Sequence, residues 1–188
     1  MRPLARKSAL WGLIHLIGAL AFVVLASTRA QADQSGVTDA RLADRASAAF
    51  AEHCFSPFMT AERAQEVLAS TGARVDFYDL DPFSSADPSP VAGRAATPGT
   101  DRRCEVAFDG AFAELAASAA VAGLQMEGIE TEAPVPDRYQ PTEGTSLLGA
   151  RFLNPRRIAV VHVGTRPGPN GPETFMYVER MTPLEPVE

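Results

Sequence analysis

Lysine is almost missing from this chain. Lys7 is the only one in 188 residues, and every other basic residue is arginine. Beyond residue 7 there is no amine for a Schiff base and none for a phosphate loop. Histidine is nearly as scarce, with His15, His53 and His162. No His-x-x-x-His occurs, and the two cysteines lie 50 residues apart with no Cys-x-x-Cys. A zinc-type centre needs several such ligands at short spacing, so no metal and no cofactor is expected. Gly164 to Gly171 is glycine-rich but lacks the Gly-Lys-Ser/Thr ending of a phosphate loop, and reads as a hairpin loop. Gly144 to Gly149 lacks the glycine that a nucleophile elbow places two residues after its serine, since Leu148 follows Ser146 there. There is no internal repeat, and no helix-strand alternation of the kind that builds a parallel sheet.

The N-terminus carries the clearest pattern. Arg2, Arg6 and Lys7 precede an apolar run from Ala9 to Ala26, and Ala30-Gln31-Ala32 puts small residues three and one before Asp33. This is the layout of a secretory signal, with cleavage expected between Ala32 and Asp33. An uncleaved membrane anchor is the alternative, because the run is only slightly short of the roughly 20 residues of a span. Residues 33–188 are then a single exported domain of suitable length. The signal holds four of the 17 basic residues and none of the 23 acidic ones, so the remainder has 13 against 23 and a formal charge of −10. A nucleic-acid partner, which requires basic patches, is not expected. A membrane partner is expected only if the signal is retained.

Periodicity gives the order ααββαβββ. Val37 to Phe55 reads as a helix with Thr38 as its N-cap. Its face is Leu42, Ala46, Ala49, Phe50 and Cys54. Thr60 caps a second helix that runs to about Thr71 and ends at Gly72. Ala73 to Leu80 alternates as a half-buried strand. Asp81 to Thr100, with four prolines, reads as a long mobile loop. Arg102 to Phe108 is a second strand, with Cys104, Val106 and Phe108 on one face. Ala111 to Met126 is a third helix whose stripe of Phe112, Leu115, Ala116, Ala119 and Gly123 is small enough for close packing on a sheet. Glu130 to Gly144 is irregular. Ser146 to Leu153, Arg157 to Val163 and Thr174 to Arg180 are the closing strands, with Gly164 to Pro172 as a loop. The expected fold is α+β, an antiparallel sheet of about five strands with three helices on one face.

Cys54 and Cys104 both fall on apolar faces of their elements, one on a helix and one on a strand. In an oxidising compartment an even cysteine count reads as a disulfide, here a helix-to-sheet staple. No catalytic constellation emerges. The one candidate base is His162, between Val161 and Val163, with Glu179 or Glu173 from the next strand as the nearby carboxylate of a hydrolase. The other lead is arginine. Arg102, Arg103, Arg151 and Arg157 cluster around the strands, and guanidinium forks bind carboxylates and phosphates. Converging near Thr97-Pro98-Gly99-Thr100, they would hold a small anion.

Three segments carry a family resemblance. They are Ala49-Phe50 to Cys54 with Pro57, Asp101-Arg102-Arg103-Cys104-Glu105-Val106, and Ala150-Arg151-Phe152-Leu153-Asn154-Pro155-Arg156-Arg157. Together they resemble an uncharacterised group of exported alphaproteobacterial proteins. The resemblance implies a periplasmic setting and a Cys54–Cys104 pair, and no activity. The expectation is therefore a non-catalytic periplasmic domain that binds a ligand or a protein. The alternatives are a hydrolase using His162 and an anchored accessory protein.

Overall fold

Two changes of period, from 3.6 to 2 after Gly72 and back after Gly110, divide this chain into its layers. The computed structural model describes residues 37–83, 87–91 and 94–182. The export segment read at residues 1–32, in either its cleaved or its anchored form, lies outside them. Helix α1 covers residues 37–53. It is already helical at Val37, so Thr38 lies within the helix and is not its cap. Helix α2 is Ala61–Val67, capped by the Thr60 side chain, which accepts from the Arg63 N–H at 3.2 Å. A 3-10 turn, Ala69–Thr71, tightens its end, and Gly72 takes the left-handed φ of +92° that closes it. Among the described residues no helix is long and apolar enough to cross a membrane.

The strands are β1 (Arg74–Asp79), β2 (Thr100–Asp109), β3 (Glu132–Ala133), β4 (Thr145–Asn154), β5 (Arg157–Gly168) and β6 (Gly171–Met181). They form one antiparallel sheet in the order β1-β2-β6-β5-β4-β3. The α+β class holds, with six strands where the sequence reading counts five. The extra one, β3, is a two-residue edge inside the Pro-rich 130–144 segment, too short to leave a periodic signal. The Gly/Pro stretch after Val163 is also mostly strand. Arg166 pairs with Glu173, Pro167 with Pro172 and Gly168 with Gly171, so only Pro169 and Asn170 turn.

Helix α3 is Ala113–Met126 and packs with α1 and α2 on one sheet face. Its buried stripe is Ala113, Ala116, Ala120, Gly123 and Leu124. This is rotated from the stripe read in sequence, and Leu115 is exposed. The small residues bring α3 close to α1 as well as to the sheet: a Cβ on Gly123 would lie 2.7 Å from the Ala51 carbonyl oxygen. Between helices and sheet lies the main core, including Phe50, Leu68, Val106, Phe108, Val161, Val163 and Met176. The Cys54–Cys104 disulfide crosses it, with the Cα atoms 5.5 Å apart.

The other sheet face is not bare. Alternation alone assigns Tyr78 to solvent, yet it is fully buried. Described residues between β1 and β2 fold back over it. Ser89 pairs with Asp79 through two main-chain hydrogen bonds, and Thr97 N–H donates to the Tyr78 hydroxyl. Ser89 and Thr97 thus tie described parts of this loop to β1. Farther along, the 134–144 segment lays Tyr139 against Ala150 and Val160 to make a second, smaller core.

Candidate functional site

Each strand carries its core-facing residues at alternate positions, so the arginines sort by parity. Arg103 stands on the outer face, with Glu105, Tyr177 and Glu179. Arg102 stands on the helix face, beside Cys104. The adjacent pair therefore never acts on one ligand.

On the outer face, cations and carboxylates alternate in one continuous chain. Asp109 and Glu173 hold Arg74 at 2.7 and 2.5 Å. Glu173 and Glu105 hold Arg166 at 2.6 and 3.0 Å. Glu105 and Asp76 hold Arg94 at 2.5 and 3.2 Å. Asp76 and Glu179 hold Arg103 at 3.1 and 2.5 Å. Glu179 then accepts from the hydroxyls of Thr97 and Tyr139, each at 2.6 Å. Burial, with the Glu179 hydrogen bond and charge, pushes the Tyr139 phenol above its ordinary value. Each guanidinium here already has its carboxylates. The Thr97–Thr100 stretch is engaged as well: Thr97 is bonded to Arg103, and the Pro98 and Gly99 carbonyls accept from Arg138.

His162 lies on the same face, in β5. Its Nε2 is 2.9 Å from the Thr145 hydroxyl and its Nδ1 is 2.9 Å from the Tyr177 hydroxyl. Phe175 packs edge-on at 5.1 Å. Burial pulls the imidazole below its ordinary value. The two carboxylates the sequence suggests as partners are bonded elsewhere, Glu173 to Arg74 and Arg166, Glu179 to Arg103, Thr97 and Tyr139. Both ring nitrogens are taken by hydroxyls.

The helix face holds a different arrangement. A cleft of about 200 Å³ opens beside the disulfide. Its walls include Phe55 and Pro57 after α1, Ile129 after α3, and Leu153 and Val178 from the sheet. Its charged lining is Arg102, Arg180 and the exposed Glu127. Arg180 is 3% exposed and donates to Asp101 from Nε and to Asp79 from Nη2, each at 2.6 Å. Arg157 meets Asp81, and its Nη2 lies 3.6 Å from Asp101. The Phe83 ring lies against both cations, 4.4 Å from the Arg180 guanidinium and 4.6 Å from that of Arg157.

Arg102 is the least satisfied of the three. It is 6% exposed. Its Nη2 donates to the Ser56 carbonyl at 2.6 Å, whereas its Nε has no hydrogen-bond partner and lies 3.6 Å from Asp79 Oδ2. Burial pulls its guanidinium down to about 10, still charged at neutral pH. Arg180 Nη1 is likewise buried without a partner. Arg102 Nε and Asp79 Oδ2, each buried without a hydrogen bond, face one another across that 3.6 Å ion pair.

Of the four sequence-picked arginines, Arg102 and Arg157 thus join one cluster through Asp79, Arg180 and Asp101. Arg103 is on the opposite face. Arg151 lines a separate cleft with Leu147 and Val161, 3.5 Å from Glu132. The cluster carries no surplus positive charge, because Arg102, Arg157 and Arg180 face Asp79, Asp81 and Asp101. Sequence reasoning missed Arg180, Asp79 and Phe83. Arg180 had a signal: it shares the alternation of Met176 and Val178 and so had to be a cation on a core face. No protein-family model matches the chain, and no curated protein or solved structure is significantly similar to it.

Proposed function

We propose that this chain is an exported, non-catalytic binding domain that takes a small molecule in the cleft beside the disulfide. The observation that carries the reading is the cleft itself: apolar walls, two nearly buried arginines in its lining, and a covalent staple at its side. That composition, mostly apolar with a few polar groups, is typical of small-molecule sites. The disulfide and the signal-like N-terminus support export, since such bridges persist in oxidising compartments. The resemblance to exported alphaproteobacterial proteins supports the same address. His162 gives the hydrolase reading little support, because its ring is held by two hydroxyls and meets no carboxylate.

The test is a thermal-shift screen of the exported form against small neutral and charged organic molecules, repeated on Leu153→Trp. The indole fills the cleft from one wall and leaves the outer face untouched. At least one compound is expected to raise Tm for the unmodified protein and not for the variant. A shift that survives Leu153→Trp, or the absence of any shift, overturns the reading.

A further inference from the structure

The cleft beside the disulfide has a neighbour. A second cleft, of about 190 Å³, lies between α3 and β4 and shares Ile129 with it as a wall. We propose that the two are halves of one groove, and that its ligand is a free amphiphile with a single unbranched aliphatic chain, such as a medium-chain alcohol or fatty acid. The inference rests on the reading of the disulfide-side cleft as a binding site and extends that site past Ile129.

Three observations carry it. The first is the floor. Leu147, Gly149, Arg151 and Leu153 succeed one another on the helix face of β4. The first three line the second cleft, and Leu153 lines the cleft beside the disulfide. On β5, Val161 and Ala159 divide in the same way, and they pair with Gly149 and Arg151 across the sheet. The floor is therefore one strip, about 20 Å long for six residues at about 3.3 Å each. Its shape suits a long, thin body. The second is Gly149. A glycine inside a strand weakens it, and often marks a bulge or a close approach by a ligand. No bulge falls here, because the register with β5 is unbroken from Leu147 to Phe152. Its chain neighbours aside, a Cβ on Gly149 would meet only Arg151 Nη1 among the described residues, at 3.5 Å. The missing side chain thus leaves depth in the floor that no other part of the described chain fills. The third is what the walls can bond. The amides of β4 and β5 lie in the plane of the sheet, not toward the groove. At the end of α3 the N–H groups of Glu127, Gly128 and Ile129 already donate to the carbonyls of Gly123, Gln125 and Leu124. A peptide laid along the groove would leave its own amides unpaired, a cost that an aliphatic chain does not incur. The polar end of the ligand stays in water, where Gln125 and Glu130 are exposed at the rim.

Isothermal titration of the exported form with hexanol, octanol, decanol and cyclooctanol tests this. Burial of one more methylene tightens binding by about fourfold. Affinity is expected to rise by about that factor per methylene from hexanol to decanol, with octanol above cyclooctanol. Gly149→Leu fills the second cleft and leaves the disulfide side open. In that variant hexanol still binds, and the gain from hexanol to decanol disappears. The ranking on the unmodified protein needs no variant, so it decides the matter even where Gly149→Leu does not fold. Equal affinity from hexanol to decanol, or cyclooctanol as tight as octanol, overturns the groove and leaves the disulfide-side cleft as the site. A full gain per methylene in Gly149→Leu also overturns it, because the chain then lies elsewhere. With phosphatidylcholine vesicles the protein is expected to stay in the supernatant, and pelleting overturns the free amphiphile in favour of a bilayer surface. Failure of all four alcohols, together with a negative Leu153→Trp comparison, removes the site itself.

Discussion

Gly123→Ala sets two opposed effects of similar size against each other, and the structure says which prevails. In a helix interior alanine is favoured over glycine by about 1 kcal/mol. Gly123 lies well inside α3 and is buried. On propensity alone the change stabilises. A Cβ there, however, would sit 2.6 Å from Phe55 Cε2 and 2.7 Å from the Ala51 carbonyl oxygen. The phenyl ring can swing aside, but the carbonyl is main chain of α1. The two helices must part by roughly 0.5 Å, and close-packed interiors do not absorb that freely. Overpacking of this kind costs about 1–3 kcal/mol. The middle of that range set against the propensity gain leaves a loss of about 1 kcal/mol, or a Tm lower by roughly 2–4 °C for a domain of this size. Calorimetry on the two proteins measures it. Phe55 also walls the cleft, so pushing its ring aside should weaken cleft ligands in the same variant. An unchanged or higher Tm would refute the close approach of α1 and α3 on which the shape of the cleft depends.

Three further outcomes are expected. Removing the disulfide as Cys54→Ala with Cys104→Ala frees a loop with a sequence separation of 50. The chain-entropy relation puts the loss at about 4 kcal/mol, and with a urea slope of about 2 kcal/mol/M the midpoint falls by about 2 M; a drop under about 0.5 M contradicts the staple's role. Arg180→Met removes the close partner of Asp79 and Asp101, leaving them only Arg102 and Arg157 at 3.6 Å, and should cost about 3 kcal/mol in urea unfolding. By contrast Arg63→Met, at the exposed pair with Glu66, should cost less than about 0.5 kcal/mol, and equal losses at the two sites would count against the buried cluster. Burial holds the His162 imidazole below its ordinary 6.5. As pH falls, the unfolded chain takes up that proton first, so stability is full above about 6.5 and declines below it toward the folded value. His162→Gln should flatten this part of the Tm profile between about pH 7.5 and 5, and an unaltered slope would exclude the imidazole as its source.

Much of the framework is legible in the residues themselves. The Thr60 cap, the Gly72 terminus and the alternating runs around Cys104 and Val161 each follow from local rules of backbone and side-chain period. Cys54 and Cys104 could be paired because each lies on the apolar face of its own element, and a covalent partner for an even cysteine count is a local expectation in an exported chain. Local rules fail where a second layer intervenes. Alternation marks Tyr78 as exposed, but a Pro-rich segment with little period of its own comes back across the strand and buries it. The stripe on α3 is misjudged for a similar reason. Which helical side faces inward depends on α1 as well as on the sheet, and periodicity sees only one partner.

The candidate site shows the same division. From sequence alone come the α+β class, the helix-to-sheet staple, the absence of lysine beyond residue 7 and the list of arginines. Their distribution is a tertiary fact. Arg102 and Arg103 are neighbours in the chain, yet the pleat sends them to opposite faces. Arg103 enters a closed chain of ion pairs and Arg102 a cleft where its bonding is incomplete. Arg180 reaches the same cleft from a strand some 78 positions away in sequence. Only the pairing of β2 with β6 brings those two cations together, and that register follows from cross-strand hydrogen bonds that no single segment encodes.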